Sequence, residues 1–249
     1  MTTFRVFRFD PLTDDKPRFE DFDVPTQKGM TVLEGLIHIL EELDPSLAYR
    51  SSCRAAICGS CAMHISGRYR LACQTQIADV ARHDRVVIRP LSHLPVLRDL
   101  VVDMGRFFEN WRRIRPHLVP KGPAPERERP QTPKERARLD SLVDCIMCGA
   151  CYGACPSARD NAAYLGPHAM LKALRFIEDS RDGTGEERLS LAASDDGVFR
   201  CHSVFNCQTV CPKELDPSAA IARIKRRALG RGLKPKPAKD SPAKDAPAR

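Results

Sequence analysis

CIMCGACYGACP, residues 145–156, and CHSVFNCQTVCP, residues 201–212, are the two stretches whose reading decides how this chain folds. In the first, Cys145, Cys148, Cys151 and Cys155 follow the spacing C-x2-C-x2-C-x3-C and are closed by Pro156. That spacing belongs to thiolates ligating paired iron–sulfur clusters, the fourth cysteine serving the other cluster of the pair. The second stretch is a degenerate copy of the first. Cys201, Cys207 and Cys211 keep the first, third and fourth positions, and Pro212 closes the run, but Val204 stands at the second position. A valine side chain cannot bind iron. Crossed ligation then assigns Cys145, Cys148, Cys151 and Cys211 to a [4Fe-4S] cube. It leaves Cys155, Cys201 and Cys207, three thiolates that suit a [3Fe-4S] cluster, a cube lacking one corner.

Four of the eleven cysteines remain. Cys53, Cys58 and Cys61 read C-x4-C-x2-C with Cys73 as a distant fourth, the plant-type ferredoxin pattern for a [2Fe-2S] centre. The cysteines thus divide without remainder into sets of four, four and three. A disulfide framework belongs to short secreted chains, whereas this one has 249 residues, an odd cysteine count and no apolar signal segment at its start. Structural zinc takes four thiolate or imidazole ligands in separable sets, and eleven cysteines with two C-P endings do not partition that way.

The segments SSCRAAICGSC, RLAC, CIMCGACYGACP, LGPHAMLKALRFIEDSRD and CHSVFNCQTVCP resemble the iron–sulfur subunit of succinate dehydrogenase and fumarate reductase, respiratory complex II. The resemblance covers nearly the whole chain apart from a proline-rich linker and the last sixteen or so residues. It implies an α+β chain, with an N-terminal β-grasp plant-type [2Fe-2S] ferredoxin domain followed by an α-helical bacterial-ferredoxin-like domain. It also implies a relay of single electrons from an FAD-containing flavoprotein subunit, which turns succinate into fumarate, to a quinone at membrane anchor subunits. The order would be flavin, [2Fe-2S], [4Fe-4S], [3Fe-4S], quinone. The fumarate reductase direction uses the same ligands and is the alternative. Any haem belongs in the anchor; with no twin-arginine signal and no Arg- and Ser-rich leader in the first residues, the location expected is peripheral, on the cytoplasmic face of a bacterial inner membrane.

His202, Pro156 and Ser157 match the family's quinone-facing positions. The chain then departs from the ubiquinone-reducing branch, which has tryptophans in the segment where Ala158, Arg159 and Asp160 stand here. The one tryptophan is Trp111, far away in sequence, so quinone type and anchor stay open, with a menaquinone-using branch among the readings. Where some relatives have aspartate at the third ligand of the first set, this chain has Cys61, which predicts all-thiolate ligation. Arg54 either pairs with a partner's carboxylate or is solvated. The other histidines, His38, His64, His83, His93, His117 and His168, show no paired ligand spacing and read as structural or exposed.

Periodicity places these motifs on elements. FRVFRFD and FEDFDV read as a strand hairpin. Thr31 with Glu34 forms a capping box for a helix whose Val32, Leu36, Leu40 and Leu43 face the strands. CAMHIS, RYRLAC and RVVIRP follow as strands, with a Ser66-Gly67 turn. Gly59 lies between two ligands, where a small residue lets backbone N–H groups approach cluster sulfides. Pro95 to Ile114 reads as one helix with Val96, Leu100, Val101, Met104, Phe107, Phe108 and Trp111 as its stripe. Five prolines between 116 and 130 then predict an extended crossing. Thr132, Pro133 and Glu135 cap a new helix, and further helices run from about Pro167 to Asp179 and from about Pro217 to Leu229. The domains expected are 1–100 (β-grasp, [2Fe-2S]), 101–131 (helix and linker), 132–232 (α-helical, [4Fe-4S] and [3Fe-4S]) and 233–249 (a disordered basic tail).

A net charge of +8, much of it in RIKRRALGRGLKPKPAKDSPAKDAPAR, admits nucleic-acid binding. No recognisable nucleic-acid module accompanies it, and a solvated tail beside anionic lipid or an acidic partner is the reading adopted. No apolar run reaches the roughly 20 residues that span a bilayer. No Gly-rich dinucleotide fingerprint is present, so flavin and substrate chemistry fall to a partner.

Overall fold

A computed structural model describes residues 1–233. β1 (Thr2–Arg8) and β2 (Arg18–Val24) pair antiparallel, in register from Thr2↔Val24 to Arg8↔Arg18. β3 (Ala62–Ile65) and β4 (Arg68–Leu71) form a second hairpin through Ser66 and Gly67, both at positive φ. β5 (Arg85–Arg89) joins the two, parallel to β1 and antiparallel to β3, giving the order β2-β1-β5-β3-β4. Alternation along β1 puts Phe4 and Val6 in the core.

α1 (Val32–His38) lies against that face, capped as expected by the Thr31–Glu34 box. Its side-chain stripe differs from the sequence reading. The last turn, Ile39–Leu43, widens to π-type bonding, which rotates Ile39 into the core and leaves Leu43 47 % exposed. A small helix α2 (Ile77–Val80) precedes β5.

The single helix expected from Pro95 to Ile114 is corrected to a short hairpin, β6 (Val96–Arg98) and β7 (Val101–Val102), followed by α3 (Gly105–Arg113). Buried Asp99 is the cause. Its carboxylate accepts from Arg8 Nε at 3.1 Å and from the N–H groups of Phe9 and Ala48 at 3.0 and 2.9 Å. Its own N–H donates to Phe9 O at 2.7 Å, and its φ is +45°. A donor committed across the fold cannot continue a helix.

Arg8, 4 % exposed, also donates to Glu20, Asp44 and Ser46, tying β1 to the 44–48 loop. Burial alone would raise the Asp44 carboxyl, but hydrogen bonds from Ser46 and Arg8 outweigh it and hold it at about 2. With the folded value below the unfolded one, this contribution is complete above about pH 4 and is lost as pH falls toward 2. Asp44→Asn is expected to cost about 1–2 kcal/mol at neutral pH. Urea midpoints followed by circular dichroism would show the gap between variant and parent closing with acid; a pH-independent gap would mean that the charge is not what matters.

The proline segment crosses without regular structure and is clipped to the helical half. Arg188, fully buried, donates to Ile114 O at 2.8 Å, to Arg115 O, to His117 O at 2.7 Å and to Asp182 Oδ2 at 3.0 Å. Asp182 in turn accepts from Val119 N–H at 3.2 Å. α4 (Pro133–Ala137) begins with the expected Thr132–Glu135 box. Then come α5 (Ala150–Gly153), α6 (Pro156–Asp160), α7 (Gly166–Ile177), α8 (Gly185–Ala192), α9 (Asn206–Thr209) and α10 (Pro217–Gly230). α7, α8 and α10 bury Leu174, Leu189, Ile221 and Ile224 in one apolar cluster. A second cluster combines the sheet, α1 and α3 with Tyr152, Ala158 and Tyr164 from the helical half. Leu233 N donates to Ala228 O, so that residue of the expected tail closes α10; residues 234–249 lie outside the described residues.

Candidate metal centres

The loop carrying the first cysteine set is built by left-handed residues. Arg54, Ala56 and Gly59 have φ of +52°, +55° and +75°, which turns successive N–H groups inward. Ala55, Ile57 and Cys58 point their N–H groups at Cys53 Sγ from 3.4, 3.3 and 3.2 Å. Ala56 N–H reaches Cys73 Sγ at 3.3 Å, and the N–H of Cys53 and the hydroxyl of Ser60 reach Cys58 Sγ at 3.5 and 3.2 Å. This convergence of donors fits sulfur carrying negative charge. The Ser60 hydroxyl, with the N–H groups of Cys53 and Ser60, lowers the Cys58 thiol to about 6, whereas burial pushes Cys61 up to about 12. Cys58 and neighbouring Ile57 are exposed and Cys61 is buried, so the site has one open edge. Arg54 is solvent-exposed at that edge.

The other seven cysteines come from two segments that meet. Met147 (φ +56°) and Gly149 (+83°) turn the chain into α5, and Cys155 precedes α6 with Pro156 at its first position. Ser203 (+56°) and Phe205 (+65°) turn it into α9. One cavity is lined by Cys145, Cys148, Cys151 and Cys211, with Pro212 and His168. A second is lined by Cys155, Cys201 and Cys207, with Pro156, Ser157, His202 and Val204. Burial pushes Cys148 and Cys207 up to about 12. Neutral thiols there must surrender protons to bind metal. Among the described residues, no three Cys, His, Asp or Glu side chains converge on a single ion. The donor set fits iron–sulfur clusters.

Of the quinone-matching residues, His202 is exposed, while Ser157 is 6 % exposed and donates its hydroxyl to Arg200 O at 3.0 Å. Sequence reasoning missed one side chain, Lys225, and read a second, His168, as structural or exposed. Lys225 reaches from α10 to donate to Cys201 O at 3.0 Å. The signal for it was its place one turn beyond Ile221, which lines the second cavity. His168 lies against the first cavity, its ring stacked on Phe107 at 3.7 Å and its Nε2 2.9 Å from Phe107 O. Burial drives it to about 3, so it is neutral.

Two family descriptions match the chain: a 2Fe-2S iron-sulfur cluster binding domain over residues 3–109 and a 4Fe-4S dicluster domain over residues 141–215. A succinate dehydrogenase iron-sulfur subunit of Coxiella burnetii is 44 % identical over 230 residues, spanning 91 % of this chain and 97 % of the relative. That of Paracoccus denitrificans is 43 % identical, spanning 92 % of this chain and 88 % of its own. The chain belongs to the succinate dehydrogenase iron–sulfur subunit family. A chain of the Mycobacterium smegmatis Sdh1 complex in the apo form superposes with a TM-score of 0.84 at 27 % identity, covering 92 % of this chain and 96 % of that one. A β-grasp ferredoxin domain followed by an α-helical ferredoxin domain is the fold, and the chain is an electron-transfer subunit of an enzyme complex. Its cofactors include 2Fe-2S and 4Fe-4S clusters, and a 3Fe-4S cluster is standard for the family. Among the described residues, no helix is long and apolar enough to cross a membrane.

Proposed function

We propose that this chain relays single electrons from an FAD-containing flavoprotein subunit, where succinate becomes fumarate, to a quinone bound at membrane anchor subunits. The observation that carries this reading is the sorting of seven cysteines and Val204 around two cavities, four sulfurs at one and three with the valine at the other. Cys53, Cys58, Cys61 and Cys73 would hold [2Fe-2S]; Cys145, Cys148, Cys151 and Cys211 would hold [4Fe-4S]; Cys155, Cys201 and Cys207 would hold [3Fe-4S]. Clusters held there supply one-electron chemistry, and the chain sets their potentials through burial and donors to sulfur. The N–H groups aimed at Cys53 offset negative charge at the first site. At the second cavity Lys225 places a cation beside Cys201, while Val204 and Phe205, 51 % and 56 % exposed, turn an apolar edge outward. That edge suits the anchor and quinone, with His202 as the exposed hydrogen-bonding group and Pro156 and Ser157 behind it; exposed Ile57 beside Cys58 suits the flavoprotein. Residues 1–100 and 132–232 form the two cluster-bearing domains in this reading, joined by 101–131, and the chain sits peripherally on the cytoplasmic face of a bacterial inner membrane.

Low-temperature electron paramagnetic resonance of anaerobically purified protein tests it. A three-iron signal when oxidised, a [2Fe-2S] signal on reduction and about nine irons per chain are expected. A silent oxidised sample with two [4Fe-4S] signals on reduction would sink the assignment. Val204→Cys is expected to convert the three-iron centre to a [4Fe-4S] cluster of lower potential and to slow quinone reduction. An unchanged three-iron spectrum in that variant would refute the role given to the valine.

A further inference from the structure

The two cluster-bearing halves touch at Gly59. A Cβ placed on it would stand 2.8 Å from Cys148 Cβ, 3.0 Å from Cys148 Cα and 3.0 Å from Ile146 O. Real Cβ atoms essentially never come as close as the first of these, and the two backbone contacts are tighter than most, so a side chain at 59 would force the seam to shift. Gly59 is bonded to Cys58 of the first cysteine set, and Cys148 lines the first cavity of the helical half. One route between the sites therefore runs through Cys58 Cα, the Cys58–Gly59 peptide and Gly59 Cα, crosses one van der Waals gap, and enters Cys148 Cβ and Sγ.

Two further close approaches hold the same seam. Gly149 leaves room for Leu91 Cδ1 and Met104 Cε, which would lie 3.1 and 3.3 Å from its Cβ. Gly153 leaves room for Tyr69, whose Cε1 would lie 2.9 Å away. Ile146, Met147 and Cys148 pack into the apolar cluster of the sheet, so the register between the halves is fixed by packed side chains on both sides of Gly59.

We propose that Gly59 is a positioning residue for the relay, its missing side chain setting the gap that an electron crosses between the first and second centres. The inference rests on the ligand sets proposed above. The step is a one-electron oxidation at the Cys58 side matched by a one-electron reduction at the Cys148 side; no bond is made or broken and no proton moves. The flavoprotein reaction supplies the electron.

The test uses the assembled complex carrying Gly59→Ala. With both centres chemically reduced, the magnetic coupling between them, which falls with the cube of their separation, is read from relaxation of the [2Fe-2S] signal. Weaker coupling is expected, and rapid freezing after succinate addition is expected to show the second centre filling several-fold more slowly. Iron content and the separate signals are read alongside, and coupling is compared where both centres are loaded. Gly67→Ala is the control for backbone strain alone, since Gly67 has φ +90° with nothing within 4 Å of a Cβ; its coupling should equal the parent's. Should Gly59→Ala fail to load its clusters, Gly153→Ala wedges the same seam from α5, against Tyr69 and between Cys151 and Cys155, and is expected to weaken the coupling. Parental coupling in a fully loaded Gly59→Ala complex, or in Gly153→Ala where Gly59→Ala does not load, overturns the proposal. Wrong ligand sets would show separately, as the wrong signals in the parent complex.

Discussion

Arg188→Met is expected to lower stability by about 3–5 kcal/mol, enough to deplete the folded population of an ordinary domain. The guanidinium is fully buried and serves four acceptors, the carbonyls of Ile114, Arg115 and His117 and the Asp182 carboxylate. Methionine preserves most of the stem volume, so the loss isolates polar pairing from packing. It leaves Asp182 as a buried carboxylate without its ion-pair partner, held only by Val119 and Thr184, and three carbonyls without this donor. Adding Asp182→Leu to the Arg188→Met variant removes the stranded charge and is expected to recover part of the loss, but not the carbonyl share. Thermal midpoints of the parent, the single variant and the double variant measure this. A single variant within about 0.5 kcal/mol of the parent would show that the linker holds without Arg188.

Cys211→Ser and Cys155→Ser are expected to remove different centres, each the opposite of what linear order suggests. Cys155 follows Cys151 in one motif and Cys211 follows Cys207 in the other, yet Cys211 lines the cavity of Cys145, Cys148 and Cys151, and Cys155 lines that of Cys201 and Cys207. Cys211→Ser should therefore weaken or erase the [4Fe-4S] signal with the three-iron signal retained, and Cys155→Ser the reverse. Either substitution interrupts the relay, so electron delivery to quinone should be lost in both. Resonance spectra with iron analysis separate the two. Loss of the [4Fe-4S] signal in Cys155→Ser with the three-iron signal intact would establish ligation within each motif instead.

Much of this was legible in the residues because cysteine spacing is a local code. The Thr31–Glu34 and Thr132–Glu135 boxes were equally readable, since both partners of each lie within one helical turn. Where the sequence misled, a distant group had intervened. The stripe from Val96 to Trp111 has helical spacing, but Asp99 answers to Arg8, some 90 residues away, and breaks it. Leu43 carries the right period and is turned outward by a π turn that hydropathy does not encode. Arg188 reads as an ordinary helical arginine until the linker folds back over it. Gly59 could be read as a turn residue; that it lies against Cys148, 89 positions on, could not.

The meeting of segments 145–155 and 201–211 bears on how the protein is made. Each cavity of the helical half draws cysteines from both segments, so the first cannot be completed before Cys211 is made, nor the second before Cys207. The 53–73 loop carries no such debt, because all four of its sulfurs emerge early and within 21 residues. The first set can therefore be complete while the helical half is still being made, whereas the two cavities need residues up to Cys207 and Cys211. Until then their seven thiols lack the enclosure that the folded cavities give them and are open to oxidation.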